Sequence, residues 1–265
     1  MNEAEYQLEL DKFLENKTDI ILVTYNRLDF TRRCLGYLLA RTRTSSRLIA
    51  VDNGSSDGTS DYLLKLQKEG KIDTLILLSR NYGLEHARAI ALTHVQSKYH
   101  VYFDNDLVCP DLEPDWLSQE IAMMEKYPDY GAMAMHPQVL VGASIDLSPT
   151  APEIIENNHV GATFLIMRTN LMKEAGWRTT FTNRVADWYY AGKFHEKGFK
   201  SGWIRDLWCY HFFHKNWGYQ ENEDHFHRVI APTSEYYDRM VDPKTLVPMD
   251  TGGVDMYEDY EKLVV

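Results

Sequence analysis

Val101-Tyr102-Phe103-Asp104-Asn105-Asp106 runs from apolar residues into two carboxylates one residue apart. The apolar half reads as a buried strand, which leaves Asp104 and Asp106 at its C-terminal end. In an open α/β sheet, ligands bind in the crevice outside that end of the strands. Two acids there repel each other and cannot hold a phosphate directly. A divalent cation answers both difficulties, because a hard ion takes carboxylate and phosphate oxygens together. The same residues also suit an ordinary Asp/Asn turn after a strand, so the neighbouring segments must decide between the two.

Upstream, three more strands lead into polar loops. Asp19–Thr24 is almost continuously apolar and β-branched, as a parallel strand buried on both faces requires, and it ends in Tyr25-Asn26-Arg27. Leu28, Cys34, Leu35, Leu38 and Leu39 then recur at helical spacing, with Asp29 as an expected cap. Arg47–Asp52 is the second strand and runs into Asn53-Gly54-Ser55-Ser56-Asp57-Gly58-Thr59, dense in turn formers. A helix marked by Leu63, Leu64 and Leu66 follows. Thr74–Leu78 is the third strand, leading to Ser79-Arg80-Asn81-Tyr82-Gly83 and a helix over Leu84–Val95. This β-α-β-α-β-α-β order predicts a mostly parallel sheet with helices on both faces, a three-layer α/β/α sandwich joined by right-handed crossovers. Residues Thr24 to Arg27, Asp52 to Asp57, Arg80 to Gly83 and Asp104 to Asp106 are therefore expected on one cleft.

The chemistry of that edge suits a nucleoside diphosphate. Asp52 can accept from a base or ribose donor, and Tyr25 offers a stacking face. Arg27, Arg80 and Arg88 can meet phosphate oxygens with a guanidinium fork. No dinucleotide-binding glycine pattern follows the first strand and no Walker lysine is present, which counts against a dehydrogenase or P-loop enzyme. The 265-residue chain carries a net charge of −11, which argues against a nucleic-acid partner. Cys34, Cys109 and Cys209 are too few and too scattered for a disulfide framework and predict a reducing, cytoplasmic setting. No apolar run reaches the roughly 20 residues of a membrane span, and docking on the inner membrane face stays open.

Taken together, Thr24-Tyr25-Asn26-Arg27, Val51-Asp52-Asn53-Gly54-Ser55-Ser56-Asp57-Gly58-Thr59, Asn81-Tyr82-Gly83 with Ala87-Arg88, and Asp104-Asn105-Asp106 resemble family 2 glycosyltransferases of the GT-A, Rossmann-like fold. The likeness implies a nucleotide-sugar donor, UDP-sugar favoured, and inverting transfer to a glycan, lipid-linked or other hydroxyl acceptor. It implies that Asp52 contacts the base while Thr24 and Tyr25 line its pocket. It also implies donor contacts from Asn26, Arg27, Asn53, Arg80, Asn81, Gly83, Arg88, Asp104 and Asn105. Asp104 and Asp106 would hold a divalent metal, Mn2+ or Mg2+. One departure is Ala89, where such sequences often carry Asn after the helix arginine.

The second half is expected to contain a helix over Pro114–Tyr127, short strands at Ala132–Met135, Gly161–Arg168 and Ser201–Asp206, and a short helix before Gly176-Trp177. In the resembled family an acidic pair opens a later helix that closes on glycine. Asp187, with Gly198 beyond it, falls on the second acid, the general base, while Ala186 replaces the first. A base is needed because a hydroxyl is a poor nucleophile until its proton is taken; Asp187 also suits a plain helix cap. The likeness implies a histidine reaching back to the metal, His211 with His214 as the alternative, and Trp177 or Trp188 is a candidate acceptor platform. The expected organisation is an extension at 1–17 and one domain at 18–219, whose halves 18–110 and 111–219 bind donor and acceptor. A C-terminal extension at 220–265 packs on that domain. Two other classes stay open: a binding module with a decayed site, to which Ala186 points, and a nucleotidyltransferase.

Overall fold

The computed structural model describes residues 17–137, 148–158, 160–161, 164–175 and 186–211, without the side chains of 85, 137, 186–189, 210 and 211. The expected terminal extensions and most of the expected loop between Pro137 and Pro152 therefore lie outside the described residues.

Strand β1 (Thr18–Thr24) is buried along its whole length. Helix α1 (Leu28–Arg41), β2 (Ser46–Asp52), α2 (Thr59–Lys68), β3 (Thr74–Leu77), α3 (Leu84–Leu92) and β4 (Tyr99–Asp104) follow in the expected alternation. β1 pairs in parallel with β2 on one side and β4 on the other, and β2 with β3. Because β1 is central, its alternate side chains feed two cores. Ile20 and Leu22 pack with Cys34, Leu35 and Leu38 of α1 and Leu63 and Leu66 of α2. Ile21 and Val23 pack with Ala87, Ile90 and Ala91 of α3. The continuous apolar run of β1 is thus the cause of the three-layer α/β/α arrangement.

Past β4 come β5 (Leu107–Val108), α4 (Trp116–Lys126), β6 (Tyr130–Pro137), β7 (Ile154–Glu156), β8 (Leu165–Arg168), α5 (Thr169–Glu174), α6 (Ala186–Glu196) and β9 (Lys200–His211). Here the sheet turns mixed. β8 lies antiparallel between β4 and β6, β6 pairs in parallel with β9, and β5 and β7 run antiparallel to β9. The order is β3-β2-β1-β4-β8-β6-β9-β5, with β7 also on β9.

Two local expectations change. The strand expected from Gly161 begins only at Leu165, because Phe164 takes a left-handed φ of 52°. Phe164 is held there by stacking on Phe103 at 5.2 Å and by an edge contact with Trp116 at 4.9 Å. Asp29 sits inside α1 rather than at its cap; the cap position is Arg27, whose side chain makes no cap bond. β5 and β7 are too short for their patterns to show a period. No helix among the described residues is long and apolar enough to cross a membrane.

Candidate active site

The four expected loops leave the sheet side by side. Thr24 is in register with Asp52, Asp52 with Leu77, and Val23 with Asp104. The strand ends are therefore level, and everything that follows them opens on one edge.

The first two loops are tied together by side chains. Asp52, 1% exposed, accepts from the Thr24 hydroxyl at 3.2 Å, the Ser55 backbone N–H at 3.3 Å, and the hydroxyls of Ser55 and Ser60. Its carboxylate is thus first of all the pin of its own loop. Asn26 and Arg27 are consecutive non-glycine residues with φ of 53° and 64°, a conformation that must be held by its surroundings. The Asn26 N–H donates to Ser55 Oγ at 2.7 Å, Ser56 N–H donates to Asn26 Oδ1 at 2.8 Å, and Leu28 N–H donates to Asp57 Oδ2 at 2.9 Å. Asp57 thereby satisfies a helix-start donor of α1 from a different loop. Burial raises its proton affinity, but the Thr59 hydroxyl and the Leu28 and Thr59 N–H groups outweigh that and hold the carboxyl below its ordinary range.

The third loop is fastened to the second. Asn53 donates through Nδ2 to Asn81 Oδ1 at 2.8 Å and accepts from the Tyr82 N–H at 2.9 Å; Asn81 Oδ1 also accepts from the Gly83 N–H at 2.9 Å. Gly54, φ 77°, lies so close that a Cβ there would stand 2.4 Å from the backbone of Arg80. Arg80 itself is exposed, with its guanidinium over the Tyr82 ring at 4.8 Å. Tyr82 in turn stacks on His86 at 5.5 Å. Tyr25 is half-buried at the end of the first loop.

The acid turn closes the row. Asp104, its side chain 39% exposed, accepts from Arg88 Nη2 at 2.9 Å. Arg88 is buried and lies over the Tyr102 ring at 5.3 Å. Asp106 is buried and accepts from Arg27 Nη1 at 3.1 Å, and the same nitrogen is 3.5 Å from Asn105 Oδ1. Each acid therefore meets a guanidinium drawn from another element. One arginine bond does not exhaust a carboxylate, which offers about four lone-pair sites, so the pair keeps the chemistry to hold a hard cation. Among the described residues no third His, Cys, Asp or Glu completes a metal-holding group. The β5–β9 pairing sets His211 opposite Leu107, one residue past Asp106. That backbone placement puts His211 next to the acid turn, and its side chain lies outside the description.

The remaining candidates fare differently. Asp187 is the second residue of α6, which packs on β6 and β9, but its side chain, like that of Trp188, lies outside the description. Gly198, φ 83°, closes α6 by donating to the His195 carbonyl at 2.9 Å, as its spacing predicts. Trp177 and His214 lie outside the described residues. The parts played by Ser55 and Asp57 are signalled in the sequence only by the density of turn formers from 52 to 59, and that of Ser60 not at all.

This mixed α/β sheet, with four loops at the carboxyl edge of its parallel half, matches the fold of GT-A glycosyltransferase structures. The model of glycosyl transferase family 2 matches residues 19–213, and the chain belongs to that family. It is similar to the putative teichuronic acid biosynthesis glycosyltransferase TuaG of Bacillus subtilis, 28% identical over 140 residues, 51% of this chain and 52% of that one. The chain spans about half the length of the curated relatives it matches, or less. In fold it resembles the mannosyltransferase PcManGT of Pyrobaculum calidifontis in complex with GDP-Man and Mn2+. The TM-score is 0.61 at 19% identity, over 78% of this chain and 59% of that one. It also resembles S. aureus TarS in complex with UDP-GlcNAc, TM-score 0.57 at 18% identity, over 73% and 58%.

Proposed function

We propose that this chain is an inverting, metal-dependent glycosyltransferase. It would move a sugar from a nucleoside-diphosphate sugar, UDP-sugar favoured, to a hydroxyl on a glycan or lipid-linked acceptor. The observation that carries the reading is the level row of four loops ending in Asp104 and Asp106, each acid against a buried arginine. The donors bound by PcManGT and TarS are nucleotide sugars, and the Mn2+ of the former supports a cation here.

The loop of Asp52 and Asn53, rigid through its own hydrogen bonds, offers a floor for the base beside Tyr25. Arg80, exposed over Tyr82, is free to swing onto a phosphate. Arg27 and Arg88 keep the acid turn neutral overall, so that a dianionic diphosphate is not repelled. A divalent cation would be held by Asp104, Asp106 and His211, and when bound it supplies Lewis-acid stabilisation of the departing diphosphate. Asp187, at the start of α6, takes the proton of the acceptor hydroxyl as that oxygen attacks the anomeric carbon from the face opposite the diphosphate, which inverts the centre. Trp177 or Trp188 would lay a flat ring under the acceptor sugar.

Ala186 in place of a first acid favours a second reading, a nucleotide-sugar-binding module that no longer turns over. Incubation with UDP-, GDP- and dTDP-sugars, Mn2+ and a panel of glycan and lipid acceptors separates the two. Nucleoside diphosphate released in step with acceptor supports the enzyme; tight donor binding without release supports the module.

A further inference from the structure

The acid turn is gripped from behind by one stripe of α1. Thr31 and Cys34, three apart, share one face of α1, and Arg27, at the cap before it, reaches the same turn. Arg27 reaches Asp106 and Asn105 as described. Thr31, fully buried, accepts at Oγ1 from Asn105 Nδ2 at 3.1 Å. Cys34, 1% exposed, points its Sγ at the carbonyl oxygen of Leu107 at 2.8 Å and that of Asp104 at 3.6 Å. One thiol thus spans the first and last carbonyls of the four-residue turn that carries both acids. The rest of that face, Leu35 and Leu38, is ordinary apolar core, so the polar contacts are confined to the part that meets the turn.

We infer that Thr31 and Cys34 are positioning residues for cation binding: they fix the turn from Asp104 to Leu107 and so set the separation and aim of its two carboxylates. Two carboxylates share one ion only at the right spacing, and the torsions of Asn105 and Asp106 govern that spacing. Groups that orient metal ligands without touching the metal commonly change affinity about 10–100-fold when removed. The inference rests on the functional reading above, and its test keeps the two apart.

Mn2+ affinity is measured by calorimetry in the presence of UDP, beside thermal melting, for the wild-type chain, Cys34→Ala, Cys34→Ser, Thr31→Val and Leu38→Ala. Cys34→Ala and Thr31→Val are expected to weaken Mn2+ about 10-fold. Cys34→Ser, which keeps a donor, should stay near wild type. Leu38→Ala, buried on the same helix but away from the turn, should lower the melting temperature and leave Mn2+ affinity unchanged. Unaltered affinity in Cys34→Ala and Thr31→Val overturns the inference alone, as does a Leu38→Ala loss equal to theirs or a Cys34→Ser loss equal to that of Cys34→Ala. A wild-type chain that binds no Mn2+ with UDP, GDP or dTDP overturns the metal-dependent reading and the inference together.

Discussion

Arg27 Nη1 lies 3.1 Å from Asp106 Oδ2, with the two side chains only 8% and 6% exposed. A residue in the left-handed region at the exit of β1 therefore neutralises an acid at the exit of β4, and the strained backbone of Asn26-Arg27 is what aims it there. Removing one partner of a buried pair leaves an uncompensated charge, at a cost of about 3–5 kcal/mol. Arg27→Ala should lose that much in urea unfolding, and Arg27→Lys, which keeps charge but not the planar fork, should recover only part. A loss under about 1 kcal/mol would mean the pair behaves as a surface contact.

Gly54 and Gly70 share positive φ, 77° and 71°, but differ in surroundings. A Cβ on Gly54 meets the Arg80 backbone at 2.4 Å, whereas one on Gly70 meets nothing within 4 Å. Gly70→Ala should cost on the order of 1 kcal/mol, the price of backbone strain alone. Gly54→Ala should cost clearly more and weaken donor binding, because the Arg80 loop must move. Equal melting temperatures for the two variants would contradict the close approach.

Burial lowers His100 from 6.5 to about 4; Asp19 opposes the shift and Lys173 adds to it. Its Nδ1 lies 2.9 Å from the Thr169 hydroxyl. Above pH 6.5 the ring is neutral folded or unfolded. As pH falls from about 6.5 towards 4, the unfolded chain takes up a proton that the folded chain refuses, so stability drops across that window. Urea midpoints from pH 7 to pH 4 should decline in the wild type and decline less steeply in His100→Gln. Parallel curves would remove His100 as a cause.

Asp187→Asn keeps the size of the side chain and removes the base. Transfer should fall by at least about 100-fold, while titration with the nucleotide sugar gives an affinity close to wild type. Near-normal turnover, or loss of donor binding, would take the base role from Asp187.

Much of this architecture could be read directly from residue patterns. The apolar runs of β1 to β4 and the helical spacing between them predict the parallel half, and level strand ends follow from that order. The mixed half was less legible. β5 and β7 have two and three residues, too few for a period, and strand direction past β4 depends on pairing partners distant in sequence. In the site, Arg27 and Arg88, expected to meet phosphate oxygens, instead pair with Asp106 and Asp104. That Arg27 meets Asp106 was not readable, because it depends on left-handed torsions at Asn26, which favours them, and at Arg27, which does not. Thr31 and Cys34 look like plain helix interior until the turn behind them is seen.

The central claim is that Asp106 belongs to a cation site that seats a nucleoside diphosphate. Calorimetric titration of UDP into the wild-type chain and Asp106→Ala, each with and without Mn2+, tests it most directly. The account predicts wild-type binding that strengthens with Mn2+ and a variant whose binding does not respond to the metal. Equal metal dependence in both chains, or none in the wild type, would contradict it.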